Sequence, residues 1–296
     1  MTTEALAPVS GKARIDVLDI LRGIAILGIF FMNIPFMAQN GVLLDNDVRS
    51  IGWTHADRTA WATIEIIAEG TQRGLLEMLF AAGMMVITAK AMTPDGPVAI
   101  ADLYYRRNLW LLAFGLFDVF VLLWVGDILH IYAIAALFLF PFRKLAPGWL
   151  VAIGMSFALV SVAAGAGEYV SRTELAAEVE QAQAKQRAGK PLAAPGREAL
   201  KTWQTKLDRL KLDDKEKKDA AKEDAGRRPG ASYPAYAEVM ISTWFQLQGK
   251  GFGVFAVIEA FCAMLIGIAL WKWRIIQGGR SGVFYLAMVA ISYGVG

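Results

Sequence analysis

The sequence predicts an all-α, polytopic integral membrane protein, a helical bundle of about seven spans. Three observations carry that prediction. Hydrophobic residues make up 56% of the 296-residue chain and charged residues 19%, with a mean hydropathy of +0.42. That is more apolar and less charged than an ordinary soluble domain. The apolar residues gather into runs close to the ~20 residues that cross a hydrocarbon core. The charges gather as well, about half of them into the stretch 168–248.

Taken in order, a tail over 1–17 is followed by a membrane bundle over 18–167, with spans at 18–38, 74–92, 108–126, 128–142 and 147–167. The first run has no small-x-small cleavage site after it, so it reads as a retained span. Residues 58–72, "RTAWATIEIIAEGTQ", are amphipathic and too polar to cross, which predicts an interfacial helix. The insert 168–248 reads as two charged helices broken near "GKPLAAPG", a solvated hairpin with mixed-sign charges at helical spacing. A second membrane region starts at 249, with spans at 252–271 and 282–296. The last run is short and lacks a flanking charge, and the expectation is a chain truncated at its C-terminus.

Orientation follows from where Lys and Arg fall near span ends. Lys12 and Arg14, then Lys90, Arg106 and Arg107, then Arg143 and Lys144, then Lys272, Arg274 and Arg280 share one side if the N-terminus is cytoplasmic. The other side receives Asp45, Asp47 and Asp57, the "WVGD" turn and the insert. A long loop crosses largely regardless of its charge.

The absences narrow function. One cysteine and two histidines cannot build a usual structural zinc site, so no metal is expected. Cys262 sits in an apolar run as a small packing residue. No phosphate-binding Gly-rich loop occurs, and a net charge of +3 without a basic-aromatic pattern gives no reason to expect nucleic acid.

Ionisable residues recur in the apolar segments: Asp19, Arg22, Glu77, Asp118, Asp127, His130 and Glu259. Their cost in a bilayer implies a polar cavity between helices. Asp19 and Arg22 lie three apart on one helix face, an anchoring pair that neutralises itself or a ligand contact. Asn33 is about 20 Å further along that helix and needs partners from a neighbouring helix or a substrate. In "LLWVGDILHIYA" (122–133), Asp127 can cap the next helix, with His130 on the same face. The pair reads either as a cap with a packing histidine or as a carboxylate setting the tautomer of a general base.

The opening Arg–x4–Asp–x2–Arg–Gly–x–Ala (14–25) resembles that of the YeiB-like family of bacterial membrane proteins (domain of unknown function 418). A similar opening occurs in transmembrane acyltransferases such as heparan-alpha-glucosaminide N-acetyltransferase. "EGTQRGLLEMLFAAGMMV", "YYRRNLWLLAFGLFDVFVLLWVGDILHIYAI" and "MLIGIALWKWRII" continue the likeness, with "WVGDILHIYA" its most specific part. Asp118 stands where the family often has His, and the family's later Gly-Arg-x-Ala-Leu-Thr-x-Tyr motif is missing.

The resemblance implies a multi-pass protein of the bacterial inner membrane. It would move an acyl group from cytoplasmic acyl-CoA to an unidentified hydroxyl or amine acceptor near the outer face. Asp127 would orient His130 as the base. His55 is the rival base, because the eukaryotic relative has a histidine after its first span. Asn33 would hydrogen-bond the thioester oxygen. Arg22, Arg106 and Arg107, with Asp19 beside them, would meet the CoA phosphates, since guanidinium groups bind phosphate through paired, charge-assisted bonds. The bilayer is the other partner, and a homo-oligomer is compatible with this reading. A small-solute or lipid transporter and a non-catalytic membrane scaffold are the alternatives.

Overall fold

The computed structural model describes residues 16–68, 70–89, 99–228 and 230–295. The expected tail lies outside the described residues as far as residue 15, and so do Lys12, Arg14 and Lys90. The chain is helical, with no strand among the described residues. The first half holds α1 (Asp16–Ala38), α2 (Gly41–Asn46), α3 (His55–Ala68), α4 (Thr71–Thr88), α5 (Ala99–Phe117) and α6 (Leu129–Leu139). The second holds α7 (Pro147–Arg187), α8 (Ala194–Asp208), α9 (Asp214–Arg227), α10 (Tyr233–Gly249), α11 (Phe252–Lys272) and α12 (Gly282–Val295).

Among the described residues, three helices are long and apolar enough to cross a membrane: α1, α7 and α11. About seven spans were expected, and the other helices fall short of that measure for physical reasons. Charged Arg73 and Glu77 lie on α4, and Asp102, Arg106 and Arg107 lie on α5. The 11 residues of α6 extend about 16 Å, against a hydrocarbon core of about 30 Å. With 14 residues, α12 reaches about 21 Å.

The centre of the bundle is α11. Half of its apolar window (50%) is buried, against 11% for α1 and for α7. It packs on α4, α6 and α7. At Gly267 a Cβ would lie 2.4 Å from the Met78 carbonyl oxygen and 2.6 Å from its Cα, so α4 and α11 meet backbone to backbone. Ala81, Ala135, Ala136, Ala260 and Ala269 line the same seam, the small-residue packing by which membrane helices approach closely. Large apolar side chains on α1, α5 and α7, among them Leu27, Phe31, Trp110, Leu159 and Val162, face outward. Such a belt fits a hydrocarbon surround and not water.

The expected break near "GKPLAAPG" falls between α7 and α8, and α7 runs through 168 without interruption. With 41 residues, α7 extends about 60 Å and carries the chain out of the apolar zone without a break. Past that zone it is braced by Glu168, 2.6 Å from Arg172 and 3.6 Å from Lys206 of α8. The chain reverses through Gly189 at φ 67° and restarts at α8, where Pro195 needs no hydrogen-bond partner in the first turn. A capping box of Asp213 and Glu216 opens α9.

Contacts from α9 and α10 then return the insert to the bundle. Glu223 is 1% exposed, and its oxygens accept the backbone N–H groups of Gly41 (2.9 Å) and Val42 (3.2 Å) at the start of α2. Arg227 donates to the Met37 and Phe36 carbonyls at the end of α1, at 3.0 and 3.2 Å, and to Glu223 at 2.7 Å. Asn40 donates to the Ala220 carbonyl and to Asp224, both at 2.8 Å. One acid and one base on α9 thus satisfy the free ends of two other helices. The next helix, α10, is held by the Tyr233 hydroxyl on the Val121 carbonyl and by the apolar cluster of Leu123, Val239 and Met240.

Candidate active site

The "WVGD" turn is built by an interrupted helix. After α5 the chain widens into a π-helical turn, Asp118–Leu122, a feature that often marks functional sites. Leu123 then takes a left-handed φ of 60°, a conformation branched side chains avoid. The Trp124 N–H on the Asp118 carbonyl, at 3.1 Å, helps to hold it there.

Asp127 follows and caps α6. Its Oδ1 accepts the Leu129 N–H at 3.1 Å and its Oδ2 the His130 N–H at 2.9 Å. The same Oδ2 stands 2.7 Å from His130 Nδ1. An ionised carboxylate only accepts, so the hydrogen-bond network assigns the ring proton to Nδ1 and leaves Nε2 as the basic nitrogen. The pair is buried, with Asp127 8% and His130 5% exposed. Gly115 makes room for it, since a Cβ there would lie 2.4 Å from the His130 nitrogen and 2.8 Å from Asp127 Oδ2. Asp118 is close enough for its charge to act on Asp127.

Asp127 and His130 line one side of a cavity of about 70 Å³, room for a few waters or the reacting end of a ligand. Arg73 and Glu77 of α4 and Tyr132 of α6 line it too, and α10 closes it with Gln248. Behind that wall Arg73 Nη2 lies 2.6 Å from Glu259 Oε1 of α11. Over the imidazole stands Trp244, ring centroids 6.0 Å apart, itself backed by Phe120 at 5.1 Å.

The other predicted residues fall at different depths. Arg22 lies 3.1 Å from Asp19, and its Nη2 would be 3.1 Å from a Cβ at Gly83 of α4. Arg107 comes towards the same region, its guanidinium 5.2 Å from the Phe80 ring. Its Nη1 is buried with no hydrogen-bond partner, and Arg22 is near enough for the two charges to repel. Arg106 turns the other way, exposed and 3.9 Å from Asp102, so the structure joins Arg22 to Arg107 and separates Arg106 from both. Eight residues on α5, about 12 Å, separate Arg107 from Gly115 at the histidine.

His55 is the exposed first residue of α3, and Asn33 is half-buried on α1. Neither lines the cavity. Sequence reasoning missed Arg73, Tyr132, Trp244 and Gln248 as parts of one site. The only signal for the opposite wall was the cost of Glu77 and Glu259 in apolar helices. Trp244 and Gln248 lay within the stretch read as solvated.

Fold and site together define a class: an all-helical protein with membrane-length helices and a buried carboxylate–histidine pair at a small cavity. No known family profile matches the chain. Over 163 residues, 52% of this chain, it is 32% identical to the "Uncharacterized protein YxaH" of Bacillus subtilis (strain 168), and the match covers 40% of that protein. The chain therefore spans well under half of that relative's length. No solved structure matches it.

Proposed function

We propose that this protein is a bacterial inner-membrane acyltransferase. It passes an acyl group from cytoplasmic acyl-CoA to a hydroxyl or amine acceptor near the outer face. The observation that carries this reading is the buried Asp127–His130 pair at 2.7 Å in the wall of a cavity. In the reaction, His130 Nε2 takes the acceptor's proton as its oxygen or nitrogen attacks the thioester carbonyl. The new bond forms to the acyl carbon, the carbon–sulfur bond breaks, and CoA departs. Asp127 keeps the ring in the reactive tautomer and balances the imidazolium. Arg22 and the unpaired Nη1 of Arg107 suit the phosphates of the donor. The YeiB-like resemblance supports the same class. On this reading α4, α5 and α6 complete the bundle as short, polar-lined spans beside the three apolar ones, with α12 as the seventh. The N-terminus is then cytoplasmic and the insert outside.

Purified protein in detergent is expected to transfer label from acetyl-CoA, and Arg107→Ala is expected to raise KM for acetyl-CoA roughly tenfold or more, the size of a lost charge-assisted bond. Absence of any acyl-CoA turnover in the unaltered protein would overturn the reading. The half-buried Arg73–Glu259 pair favours a second reading, a small-solute or lipid transporter, whose mark is flux of an unmodified solute into vesicles. Orientation has its own test. A cysteine at Ser171 on α7 should react with an impermeant thiol reagent in intact spheroplasts, and one at Thr2 should not. The reverse pattern would invert the topology.

A further inference from the structure

The cavity has a second wall that the base does not use. Glu77 is 2% exposed and lines the cavity together with His130. The groups facing it are Arg73 on its own helix, Tyr132 on α6 and Glu259 on α11, with Asp127 and His130 across the space. One and two turns further along α4 come Arg107 over Phe80 and Arg22 at Gly83.

Charge counting leaves Glu77 with a proton. Arg73 is already neutralised by Glu259 at 2.6 Å, so an ionised Glu77 would be a surplus buried anion, which a low-dielectric interior penalises heavily. The Tyr132 hydroxyl already donates to the Arg73 carbonyl, in a long contact of 3.4 Å.

We infer that Glu77 is the second acid–base catalytic residue of this cavity, the general acid that protonates the departing thiolate. The inference rests on the acyl-transfer reading. The acceptor's proton goes to His130 as the carbon–oxygen or carbon–nitrogen bond forms. The carbon–sulfur bond breaks, and sulfur takes the proton of Glu77. The imidazolium then returns its proton to the Glu77 carboxylate through water in the cavity. The sum is acceptor plus acyl-CoA giving acylated acceptor plus CoA thiol, with the protein unchanged. The division of labour follows from position: one proton-accepting ring and one proton-holding carboxyl on facing walls.

The test compares two donors with the full chain in detergent: acetyl-CoA, and the acetyl thioester of an aryl thiol, whose thiolate leaves without needing a proton. Glu77→Gln is expected to lower kcat with acetyl-CoA roughly a hundredfold. It should also erase the alkaline limb of the pH–rate profile, where the unaltered enzyme slows as its acid loses the proton. With the aryl thioester the same variant should come back to within a few-fold of the unaltered enzyme, whereas His130→Gln should not be rescued. Equal loss with both donors, or an unchanged alkaline limb, would overturn the assignment while acyl transfer itself stands. No turnover of either donor by the unaltered protein removes both readings together. If Glu77→Gln does not insert, Glu77→Asp decides: a reduced rate that keeps the alkaline limb supports the role, and an unaltered rate overturns it.

Discussion

His130→Gln is expected to lower the maximal rate of acyl transfer roughly a hundredfold or more, the range of a lost general base. KM for acetyl-CoA should change little, because Arg107, the α5 arginine proposed to meet the CoA phosphates, lies about 12 Å away along that helix. The expectation rests on geometry as much as residue type. His130 is 5% exposed, its Nδ1 is committed to Asp127 at 2.7 Å, and its ring borders the cavity. Glutamine keeps a polar group of similar reach but cannot take up a proton. Asp127→Asn should fall as far or further, since the amide would present a donor to the His130 N–H and also weaken the cap of α6. His55→Ala should stay close to the unaltered rate, as His55 is exposed and borders no part of the cavity. Steady-state kinetics of the three variants, each checked for insertion, decide the matter. A near-normal rate in a well-inserted His130→Gln protein removes the base from the mechanism.

Glu223→Ala is expected to cost about 3 kcal/mol of stability, the size of breaking a buried, hydrogen-bonded ion pair. The alanine removes both acceptors from the Gly41 and Val42 N–H groups and leaves Arg227 without its 2.7 Å partner. Arg227 is partly exposed and can recover some hydration, which holds the figure near the lower end of that range. Thermal unfolding in detergent measures the loss. A double-mutant cycle with Arg227→Ala should return a coupling of 1 kcal/mol or more. A loss under about 0.5 kcal/mol, the scale of an ordinary surface substitution, would mean that the insert does not depend on this clasp. Because α10 carries Gln248 to the cavity and Trp244 against the His130 ring, loosening α9 should also lower activity.

How much of this was legible in the chain depended on the distance over which each feature is set. Whether Asp16–Ala38, the start of α7 or Phe252–Lys272 is a membrane-length helix is decided by composition within one segment, and those helices stand where the apolar runs lie. The proximity of Asp127 and His130 is likewise local, since residues three apart share a helix face. Hydropathy alone does not mark where a helix ends, and the run read as one span over 128–142 is the 11-residue α6 followed by a separate tight turn, Phe140–Lys144.

Contacts between distant segments gave no signal of their own. Arg73 meets Glu259 across 186 positions of sequence, and Asn40 meets the Ala220 carbonyl across 180. Glu223 looked like any other charge in a solvated run, yet it is 1% exposed because α9 folds back onto the end of α1. Arg106 and Arg107 are neighbours in sequence, but a step of one residue turns a helix by about 100°, and the packing of α4 then chose which of them faces Arg22. The sequence by itself determined the helical, membrane-directed character and the capped histidine, because these follow from local composition and spacing. Only the tertiary structure decided that Glu77, Tyr132, Arg73 and the end of the insert enclose that histidine, because helix packing sets which faces meet.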